Sequence, residues 1–231
     1  MCARYDLSSP PYWLIERFGL TVPPMDAASG KPDLPGLGML PREVRPTDAA
    51  PVIDPLSRAH ALRWGLQVSW SARPVINARS ETLADKPTFR HLLGNRALVP
   101  VDGWYEWSTD YTASPTEKSP EPKTSGRKTK VRISAETGLV ALAALVDAKA
   151  GRFVILTCSP APSIAGIHSR MPVVLNGKDA EAAWMAGRGL TEDLAELLVP
   201  YPGALRHGAA DPPASASPEK PGADPAQGSL F

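Results

Sequence analysis

Cysteine is nearly absent from this 231-residue chain, which has only Cys2 and Cys158. Two such residues make no disulfide framework, and there is no C-x-x-C spacing. A cystine-stapled secreted scaffold is excluded, and a reducing compartment is expected. Long apolar runs are also missing. The longest, "GLVALAALV" (138–146), falls well short of the roughly 20 residues of a membrane-spanning helix. No basic stretch followed by an apolar run opens the chain, so no signal peptide is expected. Neither sign of charge is in excess: 25 Lys and Arg face 24 Asp and Glu, for a net +1. Any attraction for nucleic acid must therefore be local. Of the four histidines, His60, His91 and His207 stand at no metal-binding spacing to His168. Neither a zinc site nor any other cofactor is expected. These absences lead to the expectation of a soluble, cytoplasmic monomer without membrane contact.

What is plentiful is proline, 26 residues, many of them clustered, and these punctuate the chain. "SSPPYWLIERFG" (8–19) predicts a short helix capped by Ser9, with Pro10 in its first turn and Gly19 ending it. Residues 22–38 read as a loop. "PVI" (51–53) and "ALRWGLQVSW" (61–70) read as strands, and "DKPTFRHLLG" (85–94) as a helix with Phe89, Leu92 and Leu93 on one face. "RALVPVDGWYEW" (96–107) reads as strand, turn, strand about Asp102-Gly103. The polar stretch 108–130 predicts an exposed hairpin extension or loop. Strands are expected again at 131–134, 139–146, 152–157 and 171–175, with short helices from Asp179 and Thr191. The pattern predicts an α+β fold around a curved or barrel-like, mostly antiparallel β core with short flanking helices. The domain is expected over 1–207. Residues 208–231 carry too few apolar side chains to offset chain entropy and predict a disordered tail.

Four segments place polar groups within apolar strand contexts: "MCARYD" (1–6), "VINARSET" (75–82), "VDGWYEW" (101–107) and "GIHSRMPVVL" (166–175). Cys2 directly follows the initiator Met. With Met1 removed it would carry an amine of pKa about 7.8 and a thiol of about 8.5 on adjacent carbons, both nucleophiles near neutral pH. Strand alternation puts Trp104 and Glu106 on one face and Tyr105 and Trp107 on the other. Glu106 is either an edge-strand carboxylate facing water or a desolvated acid of raised pKa. His168 lies between a Pro-containing loop and a strand, as a structural or a site residue. Asn77 is a turn residue or a site residue. Arg4, Arg79 and Arg170 each lie within two residues of one of these positions and suit phosphate. With Trp104 and Trp107 for stacking, they suggest a single-stranded nucleic-acid platform.

Taken together and in this order, the Met-Cys-x-Arg start, "WGL…W" (64–70), "NARSET" (77–82), "DGWYEW" (102–107) and "IHSRMPVVL" (167–175) resemble the SRAP (SOS-response-associated peptidase) family of abasic-site crosslinking proteins. The resemblance implies that the Cys2 amine attacks the open aldehyde of an abasic site and that its thiol closes a thiazolidine. It implies Glu106 as acid and base, His168 as proton-transfer partner and Asn77 as the residue orienting Cys2 and the lesion. It also implies Arg4 and Arg79 as phosphate contacts, Trp70 and Trp107 beside single-stranded DNA, and a link to the SOS response. A nucleoid-associated location follows. The chain departs from the family pattern at Ala3, where Gly is usual, and at Glu43, which replaces Asn. It departs again in "KTKVRI" (128–133), where Lys128, Lys130 and Arg132 replace expected aromatics. Three other readings remain: a thiol peptidase pairing Cys2 with His168, an AP lyase, and a non-catalytic single-stranded DNA-binding module. The terminal "QGSLF" resembles a sliding-clamp peptide, with Gln227, Leu230 and Phe231 as its anchors and Gly228 where Leu is usual.

Overall fold

The computed structural model describes residues 2–21, 43–109, 111, 128–187 and 192–210. In chain order its first elements are β1 (Arg4–Asp6), α1 (Pro11–Phe18), β2 (Glu43–Val44), β3 (Ala49–Ile53), β4 (Ala59–Trp64), β5 (Leu66–Val68), β6 (Ser71–Val75) and β7 (Asn77–Arg79). There follow α2 (Pro87–Arg90), β8 (Arg96–Val101), β9 (Gly103–Ser108), β10 (Thr129–Ala135), β11 (Val140–Asp147) and β12 (Arg152–Cys158). The last are β13 (Met171–Pro172), β14 (Val174–Leu175), α3 (Gly177–Ala186), α4 (Glu192–Ala195) and β15 (Leu205–Ala209).

One sheet closes on itself. β12, β4, β3, β8 and β11 follow one another as hydrogen-bonded neighbours, and β11 pairs with β12 again. β7, β13 and β14 extend this barrel, which is antiparallel except where β12 meets β4 and β7. All six residues of β8 and the run Val140–Leu145 of β11 are buried. Strands covered on both faces read as continuous apolar runs, as these do. α3 covers β8 from outside. The Arg96 guanidinium stacks 4.5 Å over the Trp184 ring, and Trp184 Nε1 donates to the Ala97 carbonyl at 3.1 Å. A second, antiparallel sheet has the order β15-β10-β9-β1-β2. The α+β fold with a barrel-like core and short flanking helices is as the sequence predicts.

Several local expectations change. Ser9 does not cap α1. Pro10 holds the cap position without a side-chain bond, and Ser9 Oγ donates to Asp102 Oδ1 at 2.5 Å. Gly19 does end α1, in the left-handed region at φ 58°. The single strand expected over 61–70 is broken by Gly65 at φ 115°, where a Cβ would come within 2.8 Å of Pro74. Over 85–94 only Pro87–Arg90 is helical, because this short segment buries Phe89 and Leu92 through turns. The helix expected from Asp179 begins at Gly177 behind Asn176, with no side-chain cap. β15 runs across position 207, where the composition changes. The 22–38 loop, Thr191, most of the 108–130 insertion and the tail with Gln227, Leu230 and Phe231 lie outside the described residues.

The Asp102-Gly103 turn is a corner between the sheets, since β8 belongs to the barrel and β9 to the second sheet. Asp102 Oδ2 accepts the Ser8 and Ser9 backbone N–H groups at 2.7 and 2.8 Å, which ties down the segment after β1. At Gly103 a Cβ would stand 2.7 Å from the Ile133 carbonyl oxygen, so only glycine fits here. Gly103→Ala is therefore expected to lower unfolding free energy by about 1–3 kcal/mol. Gly208→Ala, where a Cβ meets nothing within 4 Å, should stay within about 0.5 kcal/mol of the parent chain. Urea melts of the two variants check the difference.

Candidate active site

Strand β9 lies between β10 and β1, so Glu106 is not on an edge. Alternation places Trp104 and Glu106 inward, at 0% and 2% exposure, while Tyr105 and Trp107 are half-buried on the other face. Opposite Glu106 on β10 stands buried Val131. The same register carried one residue back from β1 brings Ala3 to its other side. With so little water around the carboxylate, its charged form is disfavoured, and burial raises the Glu106 pKa to about 7. Of the two readings of Glu106, the desolvated acid is the one the fold produces.

His168 follows the 3-10 turn Pro162–Ile164 and precedes β13. Its Nδ1 accepts the Arg170 backbone N–H at 3.0 Å, so in the neutral ring the proton resides on Nε2. That nitrogen stands 3.8 Å from Glu106 Oε2. Burial holds the His168 pKa below its ordinary value, favouring the neutral ring at pH 7. Cys2, just before β1, is fully buried. Its carbonyl accepts Asn77 Nδ2 at 2.7 Å, and its Sγ lies 3.6 Å from the Arg4 carbonyl oxygen. Burial first, and then the nearby Glu106 carboxylate, push the thiol well above its usual range. Asn77 begins β7 beside Ile155 of β12, so the Asn77–Cys2 bond joins the barrel to the second sheet. Cys2, Asn77, Glu106 and His168 thus meet at the seam between the two sheets.

The expected DNA contacts are placed less uniformly. The Arg4 guanidinium stacks 5.3 Å over the Trp107 ring and bonds Glu43 at 2.6 Å. Arg79 is exposed, two residues along β7 from Asn77. Trp70, 68% exposed, sits at the turn between β5 and β6. Arg170 is held internally: Nη1 and Nη2 donate to Glu81 at 2.6 and 2.9 Å, and Nη2 donates to the Thr157 carbonyl at 2.6 Å. It braces the His168 loop instead of presenting its fork to a strand of DNA, as was expected of it. Trp104, also offered for stacking, is core. Nothing in the sequence marks Tyr5. It is fully buried, and its hydroxyl pKa is raised by burial and then by Cys2, with no hydrogen-bond partner for the hydroxyl among the described residues. A tyrosine in a short strand carries no signal that distinguishes this from ordinary core. Glu81, exposed and within the "NARSET" segment, is likewise marked by nothing local as the partner of Arg170.

With the geometry in place, comparison with known proteins decides the family. Residues 1–210 match the SOS response associated peptidase (SRAP) family. The chain belongs to the SRAP family. Among its relatives is the abasic site processing protein YoqW of Bacillus subtilis (strain 168), 34% identical over 160 residues. That match covers 63% of this chain and 65% of the relative. The abasic site processing protein HMCES of Rattus norvegicus is 28% identical over 206 residues, covering 70% of this chain and 58% of the relative. The chain thus spans somewhat less than two-thirds of these relatives' lengths. Two crystal structures share the fold. One is of a Bacteroides thetaiotaomicron protein (TM-score 0.66, 19% identity, 90% of this chain and 91% of that one). The other is of a Bordetella bronchiseptica protein (TM-score 0.65, 21% identity, 91% and 100%).

The buried acid of this SRAP chain has a cost in stability. The folded pKa of about 7 exceeds the ordinary 4.5. The fold therefore binds the proton more tightly than the unfolded chain does, and stability falls as pH rises from 4.5 to 7. Glu106→Gln should match the parent at pH 4 and exceed it at pH 8 by up to ~3 kcal/mol, at 1.4 kcal/mol per pKa unit. Paired thermal melts across this range measure it. A gap independent of pH would remove the desolvated-acid assignment.

Proposed function

We propose that this protein captures abasic sites in single-stranded DNA by forming a covalent thiazolidine through Cys2, once removal of Met1 makes Cys2 the first residue. The observation that carries this reading is the convergence on Cys2 of a carbonyl-anchoring amide, Asn77, and a buried carboxyl, Glu106, that titrates near neutral pH. The names of the relatives, abasic site processing proteins, support the substrate.

The chemistry balances without a cofactor. The Cys2 amine adds to the aldehyde carbon of the opened sugar, giving a carbinolamine. Glu106, half protonated near pH 7, gives a proton to the departing hydroxyl, and water leaves to form the imine. The imine is formed protonated, its nitrogen keeping the hydrogen left from the amine; the carboxylate takes the Cys2 thiol proton as sulfur adds to the imine carbon, and the C=N electron pair returns to nitrogen as the ring closes, which leaves a neutral N–H and restores the Glu106 acid. A single group serves as acid and then base because its pKa lies close to the working pH. His168, neutral and presenting Nε2–H toward Glu106, holds the sugar hydroxyl and relays protons. Asn77 orients Cys2 through its Nδ2, and its Oδ1, buried with no partner among the described residues, accepts from the lesion. Arg4 and Arg79 contact phosphates, and Trp107 and Trp70 lie beside the bases. We place this activity in the cytoplasm at damaged DNA, as part of the DNA damage response.

The thiol counts against a peptidase acting on unrelated substrates. Such an enzyme works through a thiolate of lowered pKa, whereas burial pushes the Cys2 thiol up. The direct test is intact mass after incubation with single-stranded oligonucleotide bearing one abasic site. The expected product is protein without Met1, heavier by the oligonucleotide. Cys2→Ala should give none. Glu106→Gln should slow formation about 100-fold, within the range of general acid–base catalysis. A residue inserted between Met1 and Cys2 should be as damaging as loss of the thiol. Strand cleavage without a lasting adduct would replace crosslinking with a lyase reaction.

A further inference from the structure

On the outer face of the second sheet, three cations converge on one carboxylate. Glu43, at the start of the edge strand β2, accepts from Arg4 Nη1 at 2.6 Å and from Lys130 Nζ at 2.5 Å, and Arg45 Nε lies 3.5 Å away. These cations come from separate strands: Arg4 from β1 and Lys130 from β10, with β9 lying between them. Each of those two also rests on an aromatic ring of β9. The Arg4 guanidinium is 5.3 Å over Trp107, and Lys130 Nζ is 4.2 Å over Tyr105. The neighbouring acid on this face, Asp6, does not share these cations, because Arg132 binds it at 2.7 and 2.9 Å. Partial burial works against the Glu43 charge, yet the hydrogen bonds from Lys130 and Arg4 outweigh it and hold the carboxyl below its usual range. Glu43 is therefore anionic at neutral pH.

Guanidinium and ammonium groups gathered around one oxyanion, beside aromatic rings, are the chemistry that binds a phosphodiester next to a stacked base. Here a side chain of the protein fills that position. We infer that Arg4, Arg45 and Lys130 form a phosphate site of single-stranded DNA that Glu43 occupies in the free protein, so that a strand must displace Glu43 to bind. The inference rests on the single-stranded DNA reading above and adds to it an internal competitor, together with the two cations Arg45 and Lys130. Its consequence is selectivity. Intact strands, held by noncovalent contacts alone, bind weakly. A strand retained through Cys2 at an abasic site can still displace Glu43.

The test is noncovalent binding of the full chain to a fluorescent thymidine oligonucleotide without abasic sites, followed by anisotropy over a range of KCl. Glu43→Gln should bind about tenfold more tightly at low salt. Each further phosphate that the variant neutralises should steepen the plot of log K against log[salt] by about 0.7, so one or two more phosphates add about 0.7–1.4 to the slope. Glu43→Asp keeps the charge and should stay near wild type, which separates competition from a change in strand packing. Lys130→Gln in the Glu43→Gln background should reverse much of the tighter binding. Unchanged or weaker binding by Glu43→Gln, with wild-type binding present, overturns the competitor and leaves the single-stranded DNA reading in place. No binding by either protein at any salt overturns both.

Discussion

Asn77 Nδ2 donates to the Cys2 carbonyl at 2.7 Å, and the candidate site depends on that bond. The second residue of a chain ordinarily frays, because few contacts hold it. Here β1 is locked between β9 and β2, and Asp102 gathers the backbone N–H groups of Ser8 and Ser9 behind it. The Asn77 bond then fixes the residue in front of β1 against the barrel. Without this anchoring, Cys2 would sample many positions relative to Glu106. With it, Cys2 and Glu106 share one buried seam, and the entropy of bringing the two groups together is met by folding.

The second sheet separates two electrostatic regimes by strand alternation. Its inner face carries Glu106 among Trp104, Val131 and Tyr5, where the absence of water raises the acid's pKa. Its outer face carries Glu43, Arg4, Lys130, Asp6 and Arg132, where each carboxylate is paired with cations and the partners of Glu43 hold its carboxyl below the usual range. Two glutamates a few strands apart therefore differ in protonation at the same pH. The partners each one meets decide this, not the residue type. The departures noted in the sequence at Glu43 and Lys130 are also a single feature. They form one ion pair reaching across the two intervening strands.

Much of this was legible in the residues. The period of two in "GWYEW" put Glu106 and Trp104 on a common face, which is their burial in the fold. Gly19 marked the end of α1, and the runs 96–101 and 139–146 marked two largely buried strands of the barrel. Other features were not. Ser9 looks like a helix cap, yet its hydroxyl goes to Asp102, 93 residues away in sequence. Arg170 looks available for phosphate, yet Glu81 and Thr157 hold it. In each case a long-range partner competes with the local one, and local spacing carries no record of that partner.

The sequence by itself determined the strand periodicity, the near-neutral overall charge, the cysteine at position 2 and the motifs that mark an SRAP chain. These depend on the order of neighbouring residues. Tertiary structure alone decided that Asn77 reaches Cys2, that Glu106 lies in the interior of a sheet rather than at its edge, and that Glu43 draws three cations to itself. The reason is physical. Hydrogen bonds and pKa values depend on distance and on the water left between groups, and assembling the second sheet against the barrel sets both by joining segments that are far apart in the chain.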